Sequence, residues 1–146
     1  MEKVKLGNSE IEFKPIVLGG NVFGWTVDEQ QSFALLDVFV DMGFSFVDTS
    51  NNYSHWVQGH TGSESESIIG KWVKKRDNRD KIQIATKVGG RRLDNDKPNL
   101  KKEYIIRSLK RYKIHKKYLR SKSGQVKGLA VFGRCNLVVE KSSQEV

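Results

Sequence analysis

The chain has one cysteine, Cys135, in 146 residues. A lone thiol forms no internal disulfide and no cysteine metal cluster, and this usage is that expected of a cytoplasmic protein with no metal site. No run reaches the roughly 18 apolar residues that would mark a membrane-spanning helix. The opening MEKVKLGNSE alternates charged and apolar residues and lacks the apolar centre of a signal peptide. Acid is scarce in one region only: residues 97–146 carry 3 acidic against 14 basic residues, a net of +11. Residues 1–96 carry 14 acidic against 12 basic, a net of −2, so the whole excess of +9 lies in the last third. A charge split of that kind divides the chain into two regions of different character. With 37% hydrophobic and 29% charged residues the composition is globular, and the length is that of one domain.

What is present in the first region punctuates cleanly. Val4 to Leu6 and Ile11 to Phe13 alternate around Gly7-Asn8-Ser9-Glu10, which predicts a β-hairpin. Pro15 breaks that pattern, and Ile16-Val17-Leu18 predicts a buried strand ending at Gly19-Gly20. A helix is expected from Asp28, with Phe33, Leu36, Asp37, Val40 and Met42 at its periodic positions and Gly43 as its stop. Phe44 to Val47 predicts a second strand, running into Asp48. A long loop, 51–61, holds Tyr53, His55, Trp56 and His60. Ser63 and Glu66 have capping-box spacing ahead of an apolar stripe of Ile68, Ile69, Trp72 and Val73. Ile82, Ile84 and Ala85 predict a third strand, which leads to Lys87.

Strands alternating with helices over connections of ordinary length predict βαβ units and a parallel sheet. In such sheets chemistry gathers just past the C-terminal strand ends. Gly19, Gly20, Asn21, Asp48, Tyr53 and Lys87 fall there. A tyrosine is a weak acid, with a pKa near 10. A neighbouring ammonium favours its phenolate, and an aspartate paired with the lysine would hold that ammonium in place. Such a tyrosine could protonate a carbonyl oxygen while a nicotinamide cofactor delivers hydride. Spacing alone leaves the plainer reading open, in which the lysine reaches solvent and the aspartate caps a turn.

The segments VKLGNSEIEF and PIVLGGNVFGW, then GFSFVDTSNNYS, then GSESESIIGKWVKKRDNRDKIQIATKVG, resemble the opening of an aldo-keto reductase, in that family's order and over about residues 3–90. The resemblance implies an α/β fold: the N-terminal part of a (β/α)8 barrel of the TIM type, with a hairpin over its base and the barrel incomplete. It implies reduction of aldehydes or ketones with NADP(H). Tyr53 would be the general acid, Lys87 the residue that tunes it, and Asp48 the partner of Lys87. Gly20, Asn21 and Asp48 would approach the cofactor, and Phe23, Trp25 and Trp56 would line a substrate pocket. Arg107 to Arg111 continues the resemblance as part of a helix expected over Leu100 to Tyr112. The strand and catalytic histidine that should follow do not appear, and His115 stands too early and among too much charge to replace that histidine.

Residues 1–111 are therefore expected to form a partial barrel and 112–146 a basic, irregular tail. A complete barrel of this type takes about 250 residues. The chain holds about three of the eight units, the pattern expected of a truncated or frame-disrupted gene. Alone it is expected to be inactive and to self-associate through open sheet edges. A second function class remains open: a non-catalytic chain whose tail attracts polyanions or nucleic acid by charge alone. Specific nucleic-acid recognition is not expected, because no recognition motif accompanies the charge.

Overall fold

The computed structural model describes residues 1–89, together with 99, 101, 103, 104, 108, 130, 131, 137 and 138. His115, Arg107 and most of the basic region fall outside these residues.

The hairpin forms as the alternation predicts. β1 (Val4–Lys5) pairs antiparallel with β2 (Glu12–Phe13), Val4 opposite Phe13 and Lys5 opposite Glu12. Gly7, at φ +55°, supplies the left-handed turn that a side chain resists. The Phe13 ring lies 4.5 Å from that of Phe46, which fixes the hairpin at the N-terminal end of the next sheet's middle strand.

That sheet comprises β3 (Val17–Gly19), β4 (Phe46–Asp48) and β5 (Gln83–Ala85), parallel and in the order β3-β4-β5. Gly19, Asp48 and Ala85 lie side by side at its C-terminal end. Between the strands run α1 (Glu29–Asp41) and α2 (Glu64–Arg76). A further antiparallel pair, β6 (Ala130–Val131) with β7 (Leu137–Val138), lies within the two apolar runs of the basic region. The core is built from Phe23, Leu36, Phe39, Val47, Ile68, Ile69, Trp72, Val73 and Ile82, so the two helices close one face of the sheet.

Three local expectations need correction. Ile16 and Val17 are 39% and 47% exposed, not buried. β3 is an edge of the three-stranded sheet, so one flank has no neighbouring strand among the described residues. Met42 points to solvent, 62% exposed, while Phe39 takes the core position. Phe39 lies three residues after Leu36 and so shares its helix face, whereas Met42 is the C-cap, just past the last helical residue.

The third concerns capping. Ser63 makes no side-chain cap and sits at φ +72°. Glu64 instead accepts the backbone N–H groups of Thr61 and Gly62, at 2.8 and 3.0 Å. Glu66 turns inward to Thr86. The capping box lies at the other helix: Asp28 accepts from the Gln31 N–H at 2.8 Å, and Gln31 accepts from the Asp28 N–H at 3.1 Å.

Candidate active site

Asp48 is the last residue of β4, and Lys87 lies two residues beyond β5. Parallel pairing of these strands brings the two side chains together. Lys87 Nζ lies 2.6 and 2.7 Å from the two Asp48 carboxylate oxygens and donates to the Thr49 carbonyl at 3.0 Å. The Tyr53 hydroxyl donates to Asp48 Oδ2 at 3.0 Å. Lys87 Nζ stands 4.8 Å from the centre of the Tyr53 ring. The three residues that the sequence singles out thus form one connected group at the C-terminal end of the sheet.

Tyr53 is placed by its loop. Its own N–H donates to the Ser50 carbonyl at 3.2 Å, and the next residue, Ser54, is wholly buried with its hydroxyl on the Phe23 carbonyl at 2.9 Å. His60 Nδ1 meets the Ser54 carbonyl at 3.0 Å, and the Ser63 N–H returns to the Asn51 carbonyl at 2.9 Å. The loop is therefore stitched to β3's exit and to α2's start, which limits where the phenol can go.

Burial raises the Tyr53 pKa above the ordinary phenol value and is the largest influence on it. The hydrogen bond with Lys87 acts downward, while Asp48 acts upward through both its hydrogen bond and its charge. The expectation that lysine would depress this tyrosine needs amending: its effect has the expected sign but is outweighed. A low-dielectric surrounding and a carboxylate both penalise a second negative charge.

Gly20 and Asn21 lie in the 3-10 turn Gly20–Val22 that follows β3. Gly20 is buried against protein, since a Cβ there would meet Ser65 Oγ at 2.8 Å and the Asp48 carbonyl at 3.1 Å. Its glycine is demanded by internal packing, while Asn21 is exposed. Phe23 is a core residue with no exposed surface, which removes it from any pocket lining. Trp25 and Trp56 are about half exposed and meet edge to face at 5.3 Å, with the His55 ring 5.3 Å from Trp56.

Sequence reasoning missed Thr49, Ser65 and Thr86. All are buried polar residues beside the site. The signal available was a polar residue directly after each of two apolar strands, at Thr49 and Thr86.

Among the described residues no cluster of His, Cys, Asp or Glu could hold a metal ion, and no helix is long and apolar enough to cross a membrane. A parallel sheet flanked by helices, with an aspartate-lysine-tyrosine group at its C-terminal end, defines an α/β protein with a strand-end site. The Aldo/keto reductase family model matches residues 15–115. The chain belongs to that family.

An aryl-alcohol dehydrogenase [NADP(+)] from Phanerodontia chrysosporium is 37% identical over 111 residues, covering 68% of this chain and 27% of the dehydrogenase. An uncharacterised 11.2 kDa protein from Pseudescherichia vulneris is 52% identical over 85 residues, covering 58% of this chain and 82% of that protein. The holo form of aldo-keto reductase AKR11C1 from Bacillus halodurans superposes with a TM-score of 0.62 at 27% identity, over 75% of this chain and 34% of that one. The chain thus spans about a third or less of the full-length reductase and dehydrogenase it matches, and its fold is the N-terminal part of their (β/α)8 barrel.

Members of this family use NADP(H), whose phosphates require donors and positive potential. α1 and α2 both begin with acid, at Asp28-Glu29 and at Glu64 and Glu66. Asp28 and Glu64 already take the N–H groups around those helix starts, and Lys87 is engaged by Asp48. These two helix starts and Lys87 do not fit the cofactor's phosphates.

Proposed function

We propose that this chain carries the proton-delivering part of an NADP(H)-dependent reductase of aldehydes or ketones. The observation that carries the reading is the Asp48-Lys87-Tyr53 group, with Lys87 bonded to both Asp48 oxygens and the phenol on Oδ2. A carbonyl substrate would take the Tyr53 hydroxyl away from Asp48 and accept its hydrogen bond. As negative charge grows on the substrate oxygen, the phenolic proton moves to it. A phenol at its ordinary value near 10 is protonated at neutral pH, as a proton donor must be, and burial shifts Tyr53 further in that direction. The phenolate left behind lies beside the Lys87 ammonium, which offsets its charge. Asp48 holds that ammonium in place.

An alcohol product needs hydride on carbon as well as this proton, and neither the starts of α1 and α2 nor Lys87 offers a seat for the phosphates of NADP(H). We therefore propose that the 146-residue chain by itself is catalytically silent, and that it self-associates through the β3 edge.

The test is a chimera in which residues 1–89 replace the matching segment of the Phanerodontia dehydrogenase. It should oxidise NADPH in the presence of 4-nitrobenzaldehyde, and Tyr53→Phe should lower kcat by about a hundredfold or more. The isolated chain should give no rate above the blank. A chimera indifferent to Tyr53→Phe would overturn the role of Tyr53. Turnover by the isolated chain, lost in Tyr53→Phe, would overturn its silence.

A further inference from the structure

The first turn of α2 reaches all three strand ends. Ser65 donates its hydroxyl to the Gly20 carbonyl, directly after β3, at 2.7 Å. Its oxygen lies 2.8 Å from the hydroxyl of Thr49, directly after β4. A serine hydroxyl has one proton, and Gly20 takes it, so Thr49 is the donor in that contact. Thr86, directly after β5, donates its hydroxyl to Glu66 Oε1. Ser65, Thr49, Glu66 and Thr86 are all buried.

Burial alone does not call for these residue types. Ile68, Ile69, Trp72 and Val73 fill the core from the same helix, and apolar groups at 65 and 66 would avoid the desolvation that a hydroxyl and a carboxylate incur. The backbone pairing of β4 and β5 runs on past the strands, with the Thr49 N–H on the Ala85 carbonyl at 2.8 Å and the Asn51 N–H on the Lys87 carbonyl at 3.0 Å. The polar groups add what apolar ones could not, side-chain bonds that tie α2 to positions at the strand exits. Two of those positions lead to one residue. The Thr49 carbonyl that accepts Lys87 Nζ belongs to the residue tethered by Ser65. Thr86, tethered by Glu66, is the residue before Lys87.

We propose that Ser65 and Glu66 are positioning residues that set Lys87 against Asp48, one through Thr49 and the other through Thr86. The proposal rests on the reading of Asp48, Tyr53 and Lys87 as the site, but its test requires no turnover. The probe is N-hydroxysuccinimidyl acetate at neutral pH, applied to the 146-residue chain, with the acetylation rate of each lysine read by mass spectrometry. Lys87, held by Asp48 and the Thr49 carbonyl, should label more slowly than exposed Lys5. Thr86→Val should speed Lys87 labelling by about fivefold, the factor that the net worth of one hydrogen bond carries. Thr86→Ser, which keeps the hydroxyl, should restore the wild-type rate.

Ser65→Ala tests the other route independently, so the outcome does not hang on one variant folding, which far-UV circular dichroism checks. In both variants Lys5 and Lys71 should label as in the wild type. Unchanged Lys87 labelling in the folded variants, or an equal rise at Lys5 and Lys71, would overturn the proposal. The chimera assay addresses the role of Tyr53 separately, so failure of one is not failure of the other.

Discussion

Lys87 Nζ bridges both carboxylate oxygens of Asp48, at 2.6 and 2.7 Å, joining the exits of two adjacent parallel strands. Each side chain keeps only about a quarter of its surface exposed, so neither is freely solvated when its partner is removed. Asp48→Ala should cost about 2 kcal/mol, the order of hydrogen bonds to a charged group. Asp48→Asn, which retains an acceptor, should cost less. Urea unfolding followed by circular dichroism measures both, and equal midpoints for Asp48→Ala and the wild type would refute the estimate.

Tyr53 makes a prediction at high pH. Its pKa is raised in the folded protein, by burial first, with Asp48 adding and Lys87 opposing. The unfolded chain therefore gives up this proton more readily. The linked stability is intact below the ordinary tyrosine value near 10 and is lost as pH rises through the folded value. Stability should fall above about pH 10, and less steeply in Tyr53→Phe. Phenolate absorbance should locate the late-titrating group by its absence from that variant.

Asp37 makes the opposite prediction in acid. Arg76, through its hydrogen bonds, holds the Asp37 carboxyl below its ordinary value of 3.8, with burial opposing and Trp72 assisting. The linked stability is present above that ordinary value and is lost as pH falls through the folded one. The Trp72 indole N–H donates to Asp37 Oδ1 at 2.8 Å from a ring with no exposed surface. Asp37→Ala would leave that donor without its acceptor, at about 1–3 kcal/mol. Asp37→Asn should lose less at neutral pH and be less sensitive to acid. Tryptophan fluorescence during urea unfolding, at neutral and acid pH, checks both.

Gly20→Ala should destabilise the site end of the sheet. The new Cβ would fall 2.8 Å from Ser65 Oγ and 3.1 Å from the Asp48 carbonyl, both too close. Ser65 is itself buried and hydrogen-bonded, so it cannot swing aside cheaply. The expected cost is about 1–3 kcal/mol, against a few tenths for Asn21→Ala at the exposed neighbouring position. Thermal unfolding of the two variants side by side tests the contrast.

Self-association is the remaining expectation. β3 is an edge of the three-stranded sheet, paired only with β4 among the described residues, whereas β6 lies beside β5, and a closed barrel would leave no such edge. Size-exclusion chromatography with light scattering should show oligomers, increasing as salt screens the basic region. Val17→Lys, at an exposed apolar position on β3, should reduce them. A monodisperse monomer with one sharp unfolding transition would show that the edge is covered.

The linear sequence determined the order of elements and singled out Asp48, Tyr53 and Lys87, which the fold brings together. Apolar runs of fixed period are local properties, and a strand end is where a polar residue such as Asp48 or Thr86 interrupts them. The hairpin around Gly7 and the stop at Gly43, at φ +77°, were legible for the same reason, since a left-handed backbone selects its residue locally.

Tertiary structure decided what depended on neighbours distant in the chain. Glu66 has capping spacing, yet it serves Thr86, 20 residues away, because folding brings β5's exit against that turn. Ile16 and Val17 read as core, yet they are exposed, because burial depends on what stands beside β3 and not on β3 itself. The lysine beside Tyr53 promised a lowered pKa, and the net is raised, because burial and the shared Asp48 exist only once the loop is folded against the sheet. Periodicity is written in adjacent residues; solvation and charge balance are set by groups that the chain brings together from far apart.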